Sequence, residues 1–154
     1  MRNKQKGFSL IELLIVVAII LIIAAIAIPN LLRARMAANE SSAVASLRTI
    51  NTACITYNST YGQYPTALTD MTDVPAGTSP TSTSADLLDP VLSAATPQKS
   101  GYVFVFADTT NVAYTVNASP IVANQTGTRF FFTDQSAVIR YNTSQSAAIT
   151  DSPL

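Results

Sequence analysis

Lys6-Gly7-Phe8-Ser9-Leu10-Ile11-Glu12 opens a segment that continues as LLIVVAIILIIAAIAI over residues 13–28 and ends at Pro29. Of the 21 residues from Phe8 to Ile28, only Ser9 and Glu12 are polar. A helix over that run is roughly 30 Å long at about 1.5 Å per residue, which matches the hydrocarbon thickness of a bilayer. The run therefore reads as a membrane-spanning helix. Arg2, Lys4 and Lys6 precede it with no acidic residue among them. That bias predicts a cytoplasmic N-terminus and export of the rest of the chain.

Glu12 is the anomaly in this helix. An ionised carboxylate in the bilayer core costs on the order of 3 kcal/mol, so Glu12 calls for a partner. Cutting the Gly7–Phe8 bond creates one, because the new amino group on Phe8 is positively charged. That amine lies one helical turn from Glu12, or it can meet the Glu12 of another copy. The same cut removes all three basic residues of the leader.

Gly7 to Pro29 resembles the N-terminal signature of type IV pilins and of the pseudopilins of type II secretion systems. The resemblance implies that a dedicated prepilin peptidase cuts between Gly7 and Phe8 and methylates the new amine. Phe8 is then the N-methylated residue, and Glu12 acts with Phe8 in filament assembly. One departure is Leu21, where many members carry glycine. Two other readings exist: a secretory signal peptide cut near Ala25-Ile26-Ala27, and a plain single-span anchor. The apolar core of a signal peptide is about 7–15 residues long and has no use for an acid at its start. Neither alternative accounts for Gly7, Phe8 and Glu12 together.

The composition narrows the chemistry. At 154 residues there is room for one domain beyond the membrane helix. Of nine basic residues the leader holds three, leaving six against nine acidic ones in a processed chain. A mildly acidic exported part argues against nucleic acid as a specific partner. With no histidine and only Cys54, a Ser-His-Asp triad, a Cys-His pair and a Cys/His metal cluster are all excluded, as is an intrachain disulfide. No Gly-rich phosphate loop is present. We therefore expect no catalytic residues, no metal site and no cofactor; the chain reads as a structural protein and not an enzyme. Cys54 reads as a small buried apolar residue.

Beyond Pro29 the helical signal continues. Ala43, Leu47, Ile50, Cys54, Tyr57 and Tyr61 recur at steps of three and four, forming the seam of an amphipathic helix. Pro29 removes one hydrogen bond and reads as a kink within a continuous helix. Gly62 followed by Pro65 reads as the helix stop. The expected organisation is a leader over residues 1–7, a membrane or filament-core half over 8–29, and an amphipathic half over 30–61. A variable loop over 62–100 follows, then an antiparallel sheet over 101–143 and a loosely docked tail over 144–154. A short helix is expected near 85–95. Two hairpins are expected, pairing 102–106 with 112–116 and 129–133 with 137–141. Phe104, Phe106, Tyr114, Phe130 and Phe132 are assigned to packing. Asp70, Asp73, Asp86, Asp89, Asp108 and Asp134 read as solvated turn residues. Calcium binding, which the resemblance raises, finds no matching loop spacing.

The expected fold class is α+β and pilin-like. It has a long N-terminal α-helix, hydrophobic in its first half and amphipathic in its second, packed on a small antiparallel β-sheet. The resemblance implies a homo-oligomeric helical filament, with a prepilin peptidase, an inner-membrane assembly platform and a cytoplasmic ATPase as partners. The subunit is expected first as a single-pass inner-membrane protein with a periplasmic C-terminal domain, then in an extracellular pilus. The rival within the resemblance is a type II secretion pseudopilin. From another class comes a membrane-anchored periplasmic binding module acting as a monomer.

Overall fold

A computed structural model describes residues 7–108 and 110–154. Residues 1–6 of the expected leader and Thr109 of the expected 108–111 turn lie outside the described residues. One helix, α1 (Leu10–Tyr61), is followed by a 3₁₀ turn (Leu68–Met71) and six strands. The strands are β1 (Gln98–Lys99), β2 (Tyr102–Asp108), β3 (Tyr114–Pro120), β4 (Phe130–Asp134), β5 (Arg140–Asn142) and β6 (Ser152–Pro153). They form a single antiparallel meander in chain order. The fold is the expected α+β arrangement of a long helix and an antiparallel sheet. By compactness the chain divides into Met1–Arg35 and Met36–Leu154.

Within Met36–Leu154 the helix seam lies where its spacing places it. Ala43, Leu47, Ile50 and Cys54 are fully buried and Tyr57 nearly so, while Tyr61 packs at the margin. Opposite them stands one face of the sheet. Tyr102, Phe104, Tyr114, Val116, Ala118 and Phe131 belong to the same core. Pairing sets this face: Phe104 lies opposite Ala118, which in turn lies opposite Phe131. Phe106 packs against the core and stacks on Tyr114, their ring centroids 5.7 Å apart. Phe132 takes the other face of the sheet and is still buried.

Several expectations gave way to local chemistry. Residues 85–95 form no helix. Asp89 Oδ1 accepts the Val91 and Leu92 N–H groups as an N-cap does, Pro90 follows it, and the Ser93 N–H donates to the Asp89 carbonyl at 3.0 Å, but this single turn is not continued. Leu88 and Leu92 are nevertheless buried. The strand expected from Ala137 starts only at Arg140, because Asp134 accepts from the Ser136 N–H and hydroxyl and Ala137 takes a left-handed φ of 59°. Ser144–Leu154 is held more firmly than its polarity suggests. Ala147 is buried, β6 pairs with β5, Asn142 Nδ2 donates to Asp151 Oδ1 at 3.0 Å, and Leu154 N–H donates to the Ile139 carbonyl at 2.9 Å.

Gly62 ends α1 in the left-handed region, with φ +75°, and its N–H donates to the Asn58 carbonyl at 2.8 Å. A Cβ there would meet no atom within 4 Å. Any penalty for a side chain is thus purely conformational. Gly62→Ala should cost about 1 kcal/mol of stability, read as a lower thermal midpoint of the detergent-solubilised chain. An unchanged midpoint would contradict this account of the helix stop.

Candidate functional site

At the start of the described chain, Gly7, Phe8 and Ser9 precede the helix and are exposed, Phe8 at 76%. The helix begins at Leu10, with Glu12 in its first turn. Glu12 Oε2 accepts the Ser9 N–H at 2.8 Å, and the Leu13 N–H donates to the Ser9 carbonyl at 3.3 Å. This is one arm of a capping box, in which an acid three residues after the N-cap satisfies an otherwise orphaned donor. Ser9-Leu10-Ile11-Glu12 carries the Ser-x-x-Glu pattern of such a box, so the bond has a legible sequence signal. The other carboxylate oxygen has no partner among the described residues. Glu12 thus has a local neutral donor within its own chain and keeps capacity for a charged one.

On both sides of Glu12 the large apolar side chains from Leu10 to Leu32 remain 44–74% exposed. The most apolar window of α1 has a mean hydropathy of 3.3, and none of it is buried. Pro29 lies inside the helix, which continues on both sides of it.

A second polar cluster sits in Met36–Leu154, with no local sequence signal because its partners are 88 and 89 residues apart. The buried Glu40 carboxylate receives the Thr128 N–H and hydroxyl at 2.8 Å each on Oε1, together with the Arg129 N–H at 3.2 Å. Arg129 Nε reaches Oε2 at 2.7 Å. Burial alone would raise the Glu40 carboxyl, but the hydrogen bonds from Thr128 and Arg129 and the guanidinium charge together hold it below its ordinary value. With its oxygens so occupied, Glu40 is a structural tie and has no spare basicity for catalysis. Alongside it, Asn39 Nδ2 donates to the Thr126 carbonyl at 2.9 Å. A Cβ on Gly127 would collide with the Tyr102 ring, so the loop can pass there only as glycine.

Several other titratable groups are committed to local structure. Burial pushes the Cys54 thiol up to about 12, leaving it protonated and inert at neutral pH. Asp70 accepts the Thr66 and Ala67 N–H groups and the Thr66 hydroxyl. Asp89 and Asp134 likewise hold turns. Among the described residues no group of three His, Cys, Asp or Glu side chains could hold a metal ion.

An exposed apolar length and an acid in the first helical turn both fall in the N-terminal segment, and residues 2–28 match a family defined by that segment. The chain carries a prokaryotic N-terminal methylation motif. It is 64% identical over 47 residues to the type IV wide pilus major component PilA4 of Thermus thermophilus, covering 30% of this chain and 35% of that one. It is 50% identical over 50 residues to the type IV major pilin protein PilA of Myxococcus xanthus, covering 32% and 23%. It is 33% identical over 64 residues to the type II secretion system core protein G of Escherichia coli, covering 42% and 44%. The chain therefore matches less than half the length of each of these curated relatives.

The Glu40 tie carries a pH prediction. Its folded value lies below the ordinary 4.5, so its stabilisation is complete above about pH 4.5 and is lost as pH falls through the folded value. Glu40→Gln should cost about 2–3 kcal/mol at pH 7 and flatten the acid side of a plot of thermal midpoint against pH. Parallel acid limbs in the two proteins would contradict the tie.

Proposed function

We propose that the chain is the structural subunit of a type IV pilus filament. It is stored as a single-pass inner-membrane protein with its C-terminal domain in the periplasm, and is then assembled through its N-terminal helix. The observation that carries this reading is an apolar helical surface left exposed among the described residues, within a methylation motif that contains one acid. Both a bilayer and a bundle of like helices can cover such a surface. No enzyme chemistry is assigned.

On this reading a prepilin peptidase cuts between Gly7 and Phe8 and methylates the Phe8 amine. The leader over residues 1–7, with its basic residues, is lost. Helices of many copies then leave the lipid and bury against one another, driven by close packing of Ala and β-branched side chains. Glu12 sets their stagger. A packing that leaves this carboxylate unpaired in a low-dielectric core is penalised, and one that seats it beside a Phe8 amine is favoured. Its bond from Ser9 N–H engages one oxygen, which leaves the other for the neighbour's amine. Pro29 removes a helical hydrogen bond and supplies a place for the helix to bend within the filament. An inner-membrane assembly platform and a cytoplasmic ATPase would supply the work. The strands and the loop over residues 62–100 would form the outer surface.

A pseudopilin of a type II secretion system is the second reading, favoured by the match to core protein G, whose aligned stretch is longer than that of either pilin. Long surface fibres lost on deletion of the gene support the pilus; secreted enzymes retained in the periplasm support the pseudopilin.

Replacing Gly7 by a bulky residue should leave a full-length precursor on a gel, whereas intact mass of the unaltered protein should give a start at Phe8 with one added methyl. A mature-size product from the Gly7 variant would refute the assigned cut. Glu12→Ala should insert in the membrane and be cleaved, yet reduce filament yield by about tenfold or more, the factor that roughly 1.4 kcal/mol per contact supplies. Undiminished filament yield would remove Glu12 from assembly.

A further inference from the structure

Arg33 and Arg35 close the apolar run on its far side, and the assembly reading makes no use of them. Both are exposed. Neither belongs to an ion pair among the described residues, where the pairs are Lys99–Asp89 and Arg129–Glu40. Glu40, the next carboxylate along the chain, is occupied by Thr128 and Arg129. Leu31 and Leu32 beside them are 70% and 53% exposed. Two permanent charges are thus held unpaired directly after an apolar helix.

Depth and direction both constrain what can meet them. If residues 8–28 fill the hydrocarbon layer, Arg33 and Arg35 lie about 7 and 10 Å past its edge at the helical rise. The polar headgroup layer is roughly 5–7 Å thick on each side, and long arginine stems bridge the small remainder. At about 100° per residue, positions two apart project roughly 200° apart around the axis. A single flat protein surface cannot take both side chains. A headgroup layer surrounds the helix and can, and the planar guanidinium fork matches phosphate oxygens.

We propose that Arg33 and Arg35 grip the phosphates of anionic phospholipids in the outward leaflet and fix the depth at which the stored subunit rides. The inference rests on the membrane-storage reading above. It also reverses the charge bias of the helix on processing. The precursor has three basic residues before the run and this pair just after it, whereas the processed chain keeps only the pair.

The test uses the full chain with Ala37→Cys carrying a fluorescent donor, reconstituted in phosphatidylcholine vesicles with a minority of phosphatidylglycerol. Energy transfer is compared between acceptor-labelled phosphatidylglycerol and acceptor-labelled phosphatidylcholine. The expected result is a roughly two- to fivefold local enrichment of phosphatidylglycerol, abolished by Arg33→Gln with Arg35→Gln and weakened by high salt. Equal transfer to both lipids from a chain that resists alkaline extraction overturns this proposal alone. An enrichment that survives the double substitution also overturns it. Equal transfer, together with crosslinking between copies in a parallel sample of the Ala37→Cys chain left unlabelled, assigns the arginines to a second copy instead. Release of the unsubstituted chain by alkaline carbonate overturns the storage reading and this proposal together.

Discussion

An apolar helical surface left exposed among the described residues governs this protein. Val/Leu/Ile side chains are worth about 1.5–3 kcal/mol each when fully removed from water, so leaving even ten of them wet forgoes on the order of 15 kcal/mol. That matches or exceeds the roughly 5–15 kcal/mol by which a whole domain is stable. The large residues from Leu10 to Leu32 stand 44–74% exposed, so an external environment must supply their cover. A bilayer and a bundle of like helices both qualify, and the proposed life of the subunit is passage from one to the other. In the proposed assembly Glu12 is what distinguishes one stagger from another, since apolar contact alone is indifferent to sliding.

Met36–Leu154 meets the opposite problem, which is to hold a domain together without a disulfide. Its core answers with volume: Tyr102, Phe104, Tyr114 and Phe131 are buried against the Ala43-to-Tyr57 seam. A buried hydrogen-bond pair adds direction, with Asn51 Nδ2 donating to Thr133 Oγ1 at 2.8 Å and Tyr114 Oη donating to Asn51 Oδ1 at 3.0 Å. The Glu40 tie joins the helix to the start of β4 with four donors. Such ties contribute uniqueness of docking more than net stability, because desolvating the carboxylate offsets much of what its partners return.

The seam was legible because steps of three and four survive any error in exact boundaries. The Phe130-Phe131-Phe132 run was not, since consecutive phenylalanines look alike from either side and only the pairing of Phe131 with Ala118 decides which one faces the helix. The tail misled for a different reason. Its hold comes from strand pairing, Asp151 and one small side chain, Ala147, none of which leaves a hydrophobic pattern. Near residues 85–95 Asp89 and Pro90 do open a turn as helix-start residues, but it ends after the one bond from Ser93 N–H to the Asp89 carbonyl. In the N-terminal segment Glu12 stood out by its cost in lipid, whereas its bond from Ser9 N–H is written in the Ser-x-x-Glu pattern. The Glu40 tie, whose partners are 88 and 89 residues away, has no local signature.

A density map of filaments purified from cells, at a resolution that shows side chains, tests the central claim most directly. The account predicts a core of helices beginning at Phe8, with each Glu12 carboxylate within salt-bridge reach of a Phe8 amine. A filament core built from other segments, or Glu12 turned to solvent away from any amine, would contradict it.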